Sequence, residues 1–150
     1  MIQLAEDAFA VRNDSDQLDV DESVINHLEE MHPSTVSEYD DNGPAVWILL
    51  IPTTTELMQQ FLKKEISEKQ LYEKTPVAIK YDAVYLCSAM VLPEYRRKGI
   101  AKRLTIEAIK NICKDHPIKK LFVWPFSKEG NALSEEIAKQ CSLPLLVRNK

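Results

Sequence analysis

83-AVYLCSAMVLPEYRRKGIAKRL-104 contains the change of period that sets the architecture. Its first ten residues are apolar on both faces, as in a strand covered from two sides, and Pro93 stops the run. From about Arg97 to Lys114, Ile100, Leu104, Ala108 and Ile112 recur at four-residue steps beside Ala101 and Ile109. That spacing is one face of a helix, which ends before 115-DHP-117. Another apolar run, 120-KLFVW-124, follows and is closed by Pro125. Strand, helix and strand in this order form a βαβ crossover, so the two strands are expected to be parallel neighbours.

Upstream, 35-TVSEY-39 and 45-AVWILLI-51 flank 40-DDNG-43, whose Asn-Gly pair suits the tight turn of an antiparallel hairpin. The second of these strands is apolar on both faces, belongs inside the sheet and is expected to close at Pro52. A helix before the hairpin, capped at Asp19 or Asp21, carries Val20, Val24, Ile25 and Leu28 to about Met31, and Pro33 ends it. Between hairpin and central strand, Thr55 is expected to cap a helix with Leu57, Met58, Phe61, Leu62 and Ile66 inward, followed by a second short turn at Leu71 and Tyr72. Downstream come a helix from Asn131 to Gln140 and one short strand near Leu145 to Val147. The expectation is an α/β (mixed α+β) fold: one mixed sheet with helices on both faces.

The 150 residues suit one domain, and 45% hydrophobic with 28% charged, 3 Gly and 8 Pro exclude collagen-like and wholly disordered chains. No apolar run is long enough for a membrane span, and MIQLAEDAFA lacks the basic and apolar regions of a secretory signal. A cytoplasmic protein is expected. Cys87, Cys113 and Cys141 lie 26 and 28 residues apart, which fits neither a disulfide framework nor zinc-ligand pairs. Buried, reduced thiols are expected. His27, His32 and His116 give no helix-face ligand pair, so no metal is expected.

The net charge of −4 conceals an asymmetry: residues 1–42 hold 12 Asp or Glu against one Arg, and the remainder holds 11 against 18 Lys or Arg. The split suits an anion on the second part and a cation near the first, or simply two solvated faces that attract each other.

Arg96, Arg97 and Lys98 crowd the expected start of the helix from about Arg97 to Lys114, with Gly99 beside them. A helix N-terminus already carries about half a positive charge, and exposed cations there cost roughly 0.3–1 kcal/mol each unless an anion binds. A phosphate would resolve the conflict. Gly99 and Ala101 would let it approach the backbone, and the first N–H groups would donate to its oxygens. The competing reading of 96-RRKGIAKR-103 is a solvated basic face or a nucleic-acid patch. Against nucleic acid stand the overall acidity and the lack of aromatics among the cations.

The string 91-VLPEYRRKGIA-101 resembles the V-x-P-x-x-R-x-x-G-x-G/A signature of the GNAT N-acetyltransferase superfamily, and the flanking elements follow in that superfamily's order. The resemblance implies a GNAT-like fold and an acetyl-CoA-dependent enzyme in which an amine attacks the thioester directly. It places the pyrophosphate on the N–H groups from Arg97 to Lys102, thus including Gly99, Ile100 and Ala101, with Arg96, Arg97 and Lys98 as cationic screen. The pantetheine would run beside Met90 and Val91, with the Val91 N–H polarising the thioester carbonyl, and Asn131 would touch the cofactor. For Asn131 the competing role is a helix N-cap.

Two features depart from the superfamily. The Tyr that often serves as general acid, about seven residues after the Asn, is Ala138, and the central strand has no carboxylate to act as base. Glu38 and Tyr85 are the candidate bases, against plainer roles as a solvated strand residue and a packed aromatic. The C-terminal region is short: 142-SLPLLVRNK-150 has room for one strand where two are usual. The acceptor pocket is then open, completed by a partner in a homodimer, or formed by the helical insertion at 56–74, for which an extra packed helix is the favoured reading. The expected acceptor is a small-molecule or protein amine, a cationic one suiting the acidic N-terminal third, with no nucleic-acid or membrane partner. The alternative is a regulatory module that binds acetyl-CoA or CoA without chemistry.

Overall fold

The structure is a computed structural model describing residues 22–41, 43–95, 99–124 and 128–148. Five strands form one sheet in the order β1-β2-β3-β4-β5: Val36–Asp40, Pro44–Thr53, Ala83–Val91, Lys120–Val123 and Leu145–Val147. β1, β2 and β3 are antiparallel neighbours, whereas β3, β4 and β5 run parallel, as the crossover required. The helices are α1 (Glu22–Met31), α2 (Thr55–Leu62), α3 (Glu68–Lys74), α4 (Ile100–Asp115) and α5 (Lys128–Cys141). Short 3-10 turns at Pro33–Thr35 and Pro93–Tyr95 follow α1 and β3.

Alternation along the strands divides the core into two clusters. Ile48, Leu50, Val84, Leu86, Leu121 and Val123 pack against Ile100, Ala108, Ile109 and Ile112 of α4 and Ile137 and Ala138 of α5. Leu49, Ile51, Tyr85, Cys87 and Phe122 pack against Val24 and Leu28 of α1, Met58 and Phe61 of α2 and Leu71 of α3. The insertion at 56–74 is therefore an added helical layer on the second face.

Several boundaries differ from the sequence reading. Pro52 does not end β2, which continues to Thr53 opposite Ala83. β1 pairs with β2 only as far as Leu49, so the flank beside Pro52 is an edge, where a proline that lacks an N–H is tolerated. Thr54, not Thr55, caps α2, its hydroxyl accepting from the Leu57 N–H, and Thr55 instead binds Asp82. Ile66 lies between two separate helices, the second closed by a capping box of Ser67 and Gln70. α5 begins at Lys128 and passes through Gly130, a residue that weakens a helix without stopping it. Of the cysteines only Cys87 is buried; Cys113 is exposed and Cys141 half-buried, and all are free thiols. The expected caps Asp19 and Asp21 lie outside the described residues.

Two irregularities in β3 matter for function. The register with β2 shifts between Leu49 and Leu50, so that Leu49 faces Ser88 and Leu50 faces Leu86, which leaves Cys87 as the extra residue of a bulge. On its other side β3 pairs with β4 only from Ala83 to Leu86, because β4 ends at Val123. Beyond Leu86 the parallel strands part company, while β3 stays paired with β2 up to Val91.

Candidate functional site

The parting of β3 and β4 leaves an edge of β3 inside the sheet, and strand geometry fixes which groups line it. The Leu92 N–H donates to Ala45 O at 3.0 Å, on the β2 side. Consecutive residues of a strand turn their N–H and C=O to opposite edges, so those of Val91 and, two back, Ala89 face the β4 side. Among the described residues no strand pairs with them there. Met90, by the same alternation, turns its backbone toward Trp47 of β2. Of the two residues expected to accompany an extended ligand, Val91 turns its backbone to this edge and Met90 turns its own to β2. Ala89 shares the edge with Val91, which the sequence could not reveal because it depends on the bulge and on where β4 stops.

At the end of this edge the chain turns into α4. The first rung of the helix is Arg103 N–H to Gly99 O at 3.0 Å, so the N–H groups of Ile100, Ala101 and Lys102 precede any intrahelical bond. Gly99 caps the helix from a left-handed conformation (φ 75°, ψ 9°), with no side-chain cap and no acidic residue in the first turn. This corrects the expected start near Arg97: a left-handed residue cannot be part of a right-handed helix, so Gly99 lies just outside it. Among the described residues nothing comes within 4 Å of a Cβ built on Gly99. The result is a helix end whose first donors have no side-chain cap among the described residues and adjoin an open glycine, the arrangement that suits a bound oxyanion. Arg96, Arg97 and Lys98 lie outside the described residues. The Lys102 side chain is tied to Glu136 of α5 at 2.7 Å, holding that carboxyl below its usual range, so Lys102 can serve the site through its N–H alone.

Asn131 belongs to the first part of α5 and is no N-cap. Its Nδ2 donates to Glu135 Oε2 at 3.4 Å, while its Oδ1 is buried with no hydrogen-bond partner among the described residues. A buried acceptor left alone costs about 1–3 kcal/mol, and a ligand N–H would relieve it.

The two candidate bases fare differently. Tyr85 is fully buried, stacked on Phe122 at 5.0 Å, and donates its hydroxyl proton to Glu68 Oε2 at 2.5 Å. It is a core residue here, its hydroxyl engaged and closed to a substrate. Glu38 is exposed on β1, in register with Trp47 and through it with Met90. Partial desolvation and then the neighbouring Asp40 carboxylate raise its pKa, the direction that makes a carboxylate a better base. It stands two strands from β3, roughly 10 Å away.

Sequence reasoning did not find Tyr95. Its hydroxyl donates to Asp41 Oδ2 at 2.6 Å and its ring meets Tyr39 edge-on at 6.3 Å, joining the hairpin tip to the turn before α4. The hydrogen bond to that carboxylate pushes the Tyr95 pKa up to about 12, so the phenol keeps its proton. No local pattern signals a contact between residues 54 positions apart.

Among the described residues no group of three or more metal-ligating side chains is gathered, and no helix is long and apolar enough to cross a membrane.

The described geometry thus comprises a strand edge at Ala89 and Val91 with no paired strand among the described residues, and an α4 N-terminus without a side-chain cap. The chain belongs to the Acetyltransferase (GNAT) family, whose model matches residues 54–139, from the cap of α2 into α5. Membership carries acyl transfer from acetyl-CoA as the family's general chemistry and agrees with the mixed sheet and its helices. No curated protein and no solved structure matches the chain significantly.

Proposed function

We propose that the protein is an N-acetyltransferase that moves the acetyl group of acetyl-CoA to a primary amine, with the cofactor lying along the free edge of β3. The observations that carry this reading are the β3 edge at Ala89 and Val91, unpaired among the described residues, and, next in the chain, an α4 whose Ile100, Ala101 and Lys102 N–H groups precede its first intrahelical bond. Amide groups of the pantetheine arm pair with the strand edge as an added strand would. The diphosphate rests on the first turn of α4 at Gly99, with Arg96, Arg97 and Lys98 supplying charge, and Asn131 Oδ1 accepts from the cofactor. The group fits the residues present, since it would satisfy donors and an acceptor that have no partner among the described residues.

Acetyl-CoA supplies an activated thioester. The Val91 N–H donates to the thioester oxygen, on which negative charge gathers as the amine attacks. The amine nitrogen would form a bond to the acyl carbon, the carbon–sulfur bond would break, and the departing thiolate would take up a proton from solvent. Glu38 accepts the proton released by the amine, across the Trp47–Met90 register and through water. The carboxylates of Glu38, Asp40 and Asp41 on the hairpin favour a cationic acceptor.

Thiol release from acetyl-CoA, followed in the presence of polyamines, aminoglycosides and lysine peptides, tests the reading. Release that depends on one amine class, with the acetylated amine identified by mass spectrometry, supports it. Acetyl-CoA binding without release across a broad panel favours a regulatory CoA-binding module.

A further inference from the structure

We infer that Asp41 and Tyr95 are positioning residues for the acetyl-CoA corner: the hairpin tip holds the turn between β3 and α4 and so aims the first N–H groups of α4. The inference rests on the reading that α4 receives the diphosphate. The connection from Leu92 to Gly99 is short, and its first half is pinned three ways. Leu92 N–H binds Ala45 O at 3.0 Å, Tyr95 N–H binds Leu92 O at 2.9 Å, and Tyr95 Oη donates to Asp41 Oδ2 at 2.6 Å. The edge-on contact of Tyr95 with Tyr39 adds a second hold on the same hairpin, and the Tyr95 ring also packs against the α4-side core.

The site gives this strut its use. Asp41 is exposed, and a solvent-exposed hydrogen bond contributes little to global stability. A diphosphate held by backbone donors tolerates displacements well under an ångström, so fixing the turn matters more to ligand affinity than to folding. In the sequence Tyr95 directly precedes the cationic run Arg96, Arg97 and Lys98.

The experiment titrates acetyl-CoA calorimetrically into the full chain as wild type, Tyr95→Phe, Asp41→Ala, Asp41→Asn and the Tyr95→Phe/Asp41→Ala double variant, with a melting curve for each. Tyr95→Phe and Asp41→Ala are expected to weaken binding roughly three- to tenfold. The double variant should be no weaker than either single one, because both remove the same bond. Asp41→Asn keeps an oxygen acceptor and should bind within about twofold of wild type. That rescue is the readout a merely structural role would not give. Wild-type affinity in both single variants, or losses that multiply in the double variant, overturns the inference alone. A wild type that does not take acetyl-CoA overturns the reading of α4 and this inference with it.

Discussion

The carbonyl of Gly99 accepts the N–H of Arg103 at 3.0 Å, which makes Gly99 the last residue outside α4. The donors of the intervening residues therefore have no intrahelical partner. Gly99 has two separable roles, a left-handed backbone and an unobstructed approach.

Substitution separates them. Gly99→Val forces a β-branched residue to positive φ and should cost about 1–2 kcal/mol of stability. Gly99→Asn tolerates that conformation and should fold nearly as well as wild type. Both place a side chain where the diphosphate approaches, so both should weaken acetyl-CoA binding by about tenfold or more. Normal affinity in Gly99→Asn would reduce the glycine to a conformational need.

Asn131 gives a prediction of opposite sign with and without ligand. Its buried Oδ1 lacks a partner, so Asn131→Ala should leave the melting temperature of the free protein unchanged or raise it. The same variant should bind acetyl-CoA more weakly. A clear loss of stability without ligand would mean that Oδ1 supports the fold.

The two candidate bases are distinguished by which property suffers. Tyr85→Phe removes a donor from the buried Glu68 carboxylate and should cost about 1–3 kcal/mol, read from urea denaturation, while thiol release stays near wild type. Glu38→Gln should leave stability and acetyl-CoA affinity intact and lower kcat by about 10²-fold or more. A folded Tyr85→Phe with abolished turnover would return the base to Tyr85.

Acid should destabilise the far end of α4. Burial first, then the nearby His32 and Lys80, lower the pKa of His116 from 6.5, so the unfolded chain binds a proton more readily. This contribution is complete above pH 6.5 and is lost as pH falls through the lower folded value. Asp115, lowered by its 2.6 Å contact with His32, acts in the same direction below its ordinary 3.8. Urea denaturation at descending pH should show falling stability from pH 6.5, and His116→Gln should flatten that first decline. A rise in stability over the same range would contradict the placement of His116.

Local signals account for what could be read from the chain. The change of period at Pro93 exposed the crossover, and 40-DDNG-43 exposed the hairpin, where Gly43 adopts φ 121°. Features set by distant partners stayed hidden. Pro52 reads as a stop unless β1 is known to end its pairing at Leu49. Tyr85 reads as a base or a packed aromatic until its hydroxyl is found on Glu68, and Cys87 looks regular until Leu49 is found opposite Ser88. The signature named the corner of the site, but the edge formed by Ala89 and Val91 follows from β4 ending at Val123.

The most direct measurement is a calorimetric comparison of acetyl-CoA with S-acetyl-pantetheine, which keeps the thioester arm and lacks the diphosphate. One-to-one binding of acetyl-CoA is expected, with stabilisation of about 2.7 kcal/mol at a hundredfold excess over Kd and a large loss of affinity for the shorter thioester. Equal affinity for the two, or no binding of either, would contradict an acetyl-CoA site at the N-terminus of α4.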